Sequence, residues 1–196
     1  MNDTTSGMTP IPVPDLLARL GEKEVPGHEP AWQLAWTAGT AAVRPLLRAM
    51  ADADTERARS AVRALWNIVE HSTAPERKEV RAGVKLEITS VLETGASTVP
   101  VARELLWMLS IVGEDDAVAN VARYLDHAEL REDARCVLQR IPGSRATSAL
   151  KAALKSASGD FASALADALR GRGETIREHP SVKKTPSRVT MVGKVG

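Results

Sequence analysis

Residues 42–50 read Ala-Val-Arg-Pro-Leu-Leu-Arg-Ala-Met, and residues 117–125 read Ala-Val-Ala-Asn-Val-Ala-Arg-Tyr-Leu. The two stretches align without a gap, 75 residues apart. Both carry Ala-Val, two variable positions, two apolar residues, an arginine, a variable position and a large apolar residue. A helix repeated in this way, inside a chain of helices, points to a repeat array. In such an array each helical hairpin buries its apolar face against the next one.

The surrounding sequence continues the alternation of helix and break. Asp15 to Leu20 reads as a short helix ended by Gly21, and Glu22 to Pro30 as a loop. Ala31 to Ala38 reads as a helix stopped at Gly39, and Thr40 as the cap of a helix to about Ala51. Its Pro45 falls early, where a missing amide costs least. Asp54 caps a long helix to His71, with Ala58, Ala61, Val62, Leu65, Ile68 and Val69 forming one apolar stripe. Thr73-Ala74-Pro75-Glu76 starts the next helix, which runs to about Leu92 and stops near Gly95.

Pro100 opens the most apolar segment, through Leu105, Leu106, Trp107, Met108, Leu109, Ile111 and Val112. Apolar residues around its whole circumference predict a helix buried on all sides, the most buried of the fold. Asp115 or Asp116 caps the next helix, which ends near Leu125. Leu130 to Ile141 and Arg145 to Ala157 follow, the second capped by Ser144; a last helix runs from Phe161 to Arg170. The hairpins expected are 31–38 with 40–51, 54–71 with 75–92, 100–112 with 115–125, and 130–141 with 144–157. No period-2 alternation marks a strand, so the class is all-α.

Three regions follow: a polar, proline-spaced segment over 1–14, expected to be disordered; a helical domain over 15–173; and a basic tail over 174–196, expected to be flexible. The chain holds 26 Lys and Arg against 25 Asp and Glu, but they are not evenly spread. Residues 1–139 carry a net charge of −6 and residues 140–196 a net of +7. Such asymmetry marks either an interaction tail or a solvated face followed by a disordered end.

Three segments resemble HEAT-type repeats, the armadillo-related helical hairpins. They are Asp-Asp-Ala-Val at 115–118, the 42–50 helix with its early Pro45, and residues 134–143, Ala-Arg-Cys-Val-Leu-Gln-Arg-Ile-Pro-Gly. The last is similar to the first helix of bacterial HEAT-like repeats, closed by an Ile-Pro-Gly turn. The resemblance covers roughly residues 30–172. It implies a right-handed α-solenoid of HEAT-like hairpins, with second helices lining a concave face, and it implies no chemistry of its own.

Motifs that would carry chemistry are few. His28, His71, His127 and His179 show no metal-ligand spacing. Glu70-His71 reverses the His-Glu order used by HEAT-type iron hydroxylases, and His71 reads as a helix C-terminal residue favoured by the dipole. Cys136, the single cysteine, reads as a small core residue between Ala134 and Val137. No phosphate-binding or nucleophile-elbow sequence occurs. Arg170-Gly171-Arg172-Gly173 is either an anion or RNA site or a helix-ending turn. Trp32, Trp36, Trp66 and Trp107 read as core residues, although some HEAT-like alkylpurine DNA glycosylases hold DNA with tryptophan beside Asp and Arg. Bilin lyases also contain HEAT-like repeats, but nothing in the chain specifies a tetrapyrrole.

The expectation is therefore a non-enzymatic module that binds or scaffolds a protein partner, without cofactor or metal. A nucleic-acid-binding module using the basic C-terminal end is the alternative, followed by an enzyme of glycosylase or bilin-lyase type. The candidate binding residues are Arg48, Arg123 and Lys151, which share one slot of matching helices, continued in the tail by Lys183, Lys184 and Arg188. They form either a ridge for an acidic partner or a row of long side chains whose stems flank the buried stripe. No apolar run reaches the roughly 18 residues of a membrane span. Met1 to Pro14 lacks the charge and apolar core of a secretory leader, so no membrane contact and a cytoplasmic location are expected.

Overall fold

Asp54 does what its position promises. Its carboxylate accepts the amides of Glu56 at 2.9 Å and Arg57 at 3.2 Å, two of the donors a helix start leaves unpaired. The helix it opens, Thr55–His71, buries Ala61, Ala64, Leu65, Ile68 and Val69 along one stripe. This computed structural model describes residues 9–23, 25, 27, 29–95 and 97–181. Among them the chain is all-α, with ten α-helices, five 3₁₀ turns and no strand. In chain order the helices are α1 Val13–Ala18, α2 Ala35–Ala38, α3 Val43–Ala49, α4 Thr55–His71 and α5 Lys78–Thr94. They continue with α6 Val99–Val112, α7 Val118–Ala122, α8 Arg131–Arg140, α9 Ser144–Ser156 and α10 Gly159–Gly171. None of the described helices is long and apolar enough to cross a membrane.

The helices pack in two layers. In the first, α2 lies on α4, α4 on α6, α6 on α8 and α8 on α10. In the second, α3 lies on α5, α5 on α7 and α7 on α9. The layers are stitched by α3 against α4, α5 against α6, α7 against α8 and α9 against α10. Each second-layer helix thus seats on the first-layer helix that follows it. One continuous core runs through the whole array from Leu16 to Leu169.

The repeated stretch is buried position by position. Ala42 and Ala117, Val43 and Val118, Leu46 and Val121, and Met50 and Leu125 are all buried. Arg48 and Arg123 are both exposed. Only the second of the two apolar slots differs, with Leu47 buried and Ala122 half-buried.

Several local expectations are corrected. The helix expected over 31–38 is split into a 3₁₀ turn, Ala31–Leu34, and the single turn of α2. The cause is Asn67 of α4, whose side-chain oxygen takes the Trp36 amide at 2.9 Å. Thr40 caps nothing; it lies inside a 3₁₀ turn, Gly39–Ala42. There its methyl group faces Gly83 of α5, where a Cβ would come within 2.5 Å. Asp115 and Asp116 sit in a 3₁₀ turn ahead of α7 rather than capping it, and both face other partners. The N-terminal helix opens at Val13 rather than Asp15, and the Ile11 amide just before it is held by Thr37 Oγ1 at 2.9 Å. The remainder of the segment expected to be disordered, residues 1–8, lies outside the described residues, as does His28.

α6 buries Ala102, Leu105, Leu106, Met108, Leu109 and Val112. It is not buried on all sides, because Ile111 is 43 % exposed and Trp107 half-buried. Packing against α4, α5 and α8 leaves that strip uncovered.

Ser144 is likewise not a cap. It is the first residue of α9, and Gly143 before it has φ 97° and ψ 166°, a region essentially closed to other residues. A Cβ there would also lie 2.7 Å from Asp115 Oδ1. Gly143→Ala is expected to cost about 1–3 kcal/mol from backbone strain. Urea titration checks it, and an unchanged midpoint would mean that the turn relaxes freely.

Candidate functional site

The second layer presents its outward face through α3, α5 and α7, and two grooves run along α5. The groove between α3 and α5 has a volume of about 500 Å³. Its apolar lining is Leu47, Ala51 and Val91; its charges are Arg44, Arg48 and Glu87. Arg44 Nε donates to Glu87 at 2.8 Å. Arg48 has no ion-pair partner among the described residues. Across α5, a groove of about 400 Å³ is lined by Lys85, Glu93, Asp116 and Asn120, with Leu86 and Thr89. Leu86 is 67 % exposed and is the most exposed large apolar side chain among the described residues.

Lys85 is nearly covered and holds two carboxylates, Glu114 and Asp116, each at 2.8 Å. Burial pulls its pKa down most strongly, yet the hydrogen bonds and charges of Asp116 and Glu114 together outweigh it. The ammonium therefore ionises above its ordinary value of 10.5. A folded value above the unfolded one stabilises the fold fully below pH 10.5, and that stabilisation is lost as pH rises through the folded value. Lys85→Met should therefore be less stable than the parent at neutral pH, with the gap narrowing above that point. A constant gap across alkaline pH would contradict the assignment.

The three candidate cations of the helical domain meet different fates. Arg48 faces the α3–α5 groove. Arg123 is exposed and donates to the Glu93 carbonyl at the end of α5, at 3.2 Å. Lys151 is paired with Glu174 at 2.7 Å. Arg48 and Arg123 thus both reach α5, from opposite neighbours, whereas Lys151 is tied to the segment after α10. No hydrogen bond or ion pair among the described residues links the three to one another. Lys183, Lys184 and Arg188 lie outside the described residues.

The first layer carries a ladder that residue patterning did not reveal. Trp66 Nε1 of α4 donates to Glu104 of α6 at 2.8 Å, and Trp107 Nε1 of α6 donates to Asp133 of α8 at 2.9 Å. Arg103 also binds Asp133, at 3.0 Å, and Arg140 lies over the Trp107 ring. The signal was a spacing: Glu104 stands three before Trp107, and Asp133 three before Cys136. At the matching place in α4, three before Trp66, stands Arg63, which lies over the Trp32 ring. The Trp32 indole nitrogen is buried without an acceptor. Cys136 therefore takes a tryptophan's place in the series. It is half-buried, and its sulfur accepts from Arg135 at 3.1 Å.

Trp36 is also engaged. The His71 ring stacks on it at 4.9 Å and 7°, and the Arg77 guanidinium lies 4.5 Å from its centre. His71 ends α4 and its Nδ1 pairs with the Asn67 carbonyl at 2.8 Å. Arg170 and Arg172 face inward. Arg172 donates to the carbonyls of Leu138, Gln139, Ile141 and Gly143 and to Thr147 Oγ1. Arg170 holds the carbonyls of Ile176, Glu178 and His179. Of the two readings of residues 170–173, the helix-ending turn fits, since both guanidinium groups are engaged within the chain, mostly on backbone oxygens and otherwise on Asp167 and Thr147. Among the described residues no group of three or more His, Cys, Asp and Glu side chains is placed to hold a metal ion.

No family model and no curated protein sequence was found to match the chain.

Proposed function

We propose that the chain is a non-enzymatic, HEAT-like protein-interaction module, a short right-handed α-solenoid whose second-layer face docks an acidic partner. The observation that carries this reading is the α3–α5 groove, where Arg48 stands over an apolar lining without an ion-pair partner among the described residues. Serial packing in two layers, and a stretch buried alike in two places at all but one position, support the solenoid. Arg48 is the working part of the cationic row: Arg123 serves the end of α5, and Lys151 fastens the segment after α10. Ring faces of Trp32, Trp36 and Trp107 are taken up by Arg63, by Arg77 and His71, and by Arg140, which favours a packing role for these tryptophans over base stacking.

Retention of proteins on the immobilised full chain tests the reading. A protein held by the parent should be lost with Arg48→Glu and with Leu86→Asp, both exposed positions. Binding to mixed-sequence DNA or RNA instead, weakening by about one log unit per log unit of salt for each phosphate neutralised, would favour the nucleic-acid reading and contradict this one.

A further inference from the structure

The face described above is self-complementary. On one side of α5 the groove sets two arginines, Arg44 and Arg48, against one glutamate, Glu87. On the other it sets two carboxylates, Glu93 and Asp116, against one lysine, Lys85, which is already paired with Asp116. Exposed Leu86 projects from α5, the helix that separates the grooves. A two-fold axis lying in the interface along α5 exchanges the two sides. It places the α3 side of one copy on the α7 side of the other and brings the two Leu86 side chains together. An interface of this kind is isologous, the same patch meeting itself.

We propose that the second-layer face is a homodimer interface. Leu86 forms its apolar centre, and Arg48 of each copy faces the Glu93 and Asp116 carboxylates of the other. The inference rests on the reading of this face as a docking surface and names its occupant, a second copy of the chain. Leu86 is the kind of exposed apolar side chain that burial favours. The flanking charges set orientation and exclude like-signed alignments. Arg123 stays outside the exchange, engaged at the Glu93 carbonyl.

The test is sedimentation velocity on the full chain over a concentration series at low ionic strength, where such pairs are least screened. The parent should dimerise reversibly, and Leu86→Asp should be monomeric throughout. Arg48→Glu alone places glutamate against Glu93, and Glu93→Arg alone places arginine against Arg48, so each should weaken association at least tenfold. An equimolar mixture of these two variants restores both opposite-charge contacts in the heterodimer, and should associate as the parent does. Circular dichroism and thermal melts of each variant show whether it remains folded. A parent that stays monomeric, a dimer indifferent to Leu86→Asp, or a mixture no better than its separate components overturns the proposal. If the parent is monomeric while a retained protein still depends on Arg48 and Leu86, the docking face stands and only the second copy is wrong. Indifference to these substitutions in both assays removes both.

Discussion

Leu105→Ala is expected to lower the unfolding free energy by roughly 2–5 kcal/mol, the range for a fully buried leucine whose cavity cannot collapse. Leu105 is 0 % exposed and sits in α6, which touches first-layer neighbours on both sides and α5 of the second layer. Removal of its methyl groups leaves a void beside a helix held by three others, which limits how far α6 can shift to close it. The same substitution at Ile111, 43 % exposed on the same helix, should cost well under half as much, because burial sets the size of the effect. Equilibrium urea titration of both variants checks the pair. A loss at Leu105 below about 1 kcal/mol would put it in the class of ordinary surface changes and contradict its place in the core.

Arg172→Ala is the second large effect, about 3 kcal/mol. One guanidinium serves five acceptors at 2.6 to 2.9 Å, four of them carbonyls of the last turn of α8 and of the connection to α9. Bonds to a charged donor contribute roughly 1.5–3 kcal/mol each, but bonds that share one donor group do not add, and water reaches a half-buried site. Arg172→Lys should recover less than half of the loss, since an ammonium cannot reproduce the planar fork. Thermal melts with amide hydrogen exchange over 138–147 check it. Unchanged protection there after Arg172→Ala would show that the turn needs no clamp.

Helix starts and stops carried by a single side chain or glycine were legible in the sequence. Asp54 accepts the amides it was expected to accept, and α5 ends at Gly95 in the left-handed conformation. Starts that depend on a distant partner were not. The 31–38 segment changes helix type because Asn67, 31 residues beyond Trp36, takes its amide. Ser144 yields its capping role because Gly143, in a conformation open to glycine, takes the position before the helix and leaves Ser144 inside its first turn. The apolar circumference of α6 reported composition rather than neighbours, so Ile111 was misplaced.

The candidate site was legible in part. The repeat alignment picked out Arg48 and Arg123 as equivalent exposed positions, which they are. Spacing alone did not show that Lys151 meets Glu174, or that Leu86 stands exposed between grooves of opposite charge. Those facts depend on how neighbouring helices fit side by side. The tryptophan–carboxylate ladder was present as a three-residue offset, but it crosses between helices and leaves no local pattern.

In the proposed solenoid, residues 42–50 and 117–125 are equivalent rungs of one stack. Excision of residues 51–125, one repeat interval, tests that equivalence most directly by placing the 42–50 helix where 117–125 now stands, ahead of α8. In a serial stack each unit touches only its neighbours, so the shortened chain should fold. Undiminished helix content per residue by circular dichroism is expected, with a single cooperative urea transition of smaller m-value, in keeping with the smaller surface exposed. A chain without a cooperative transition, with helix content collapsed, would show that the two stretches are not interchangeable and would contradict the repeat.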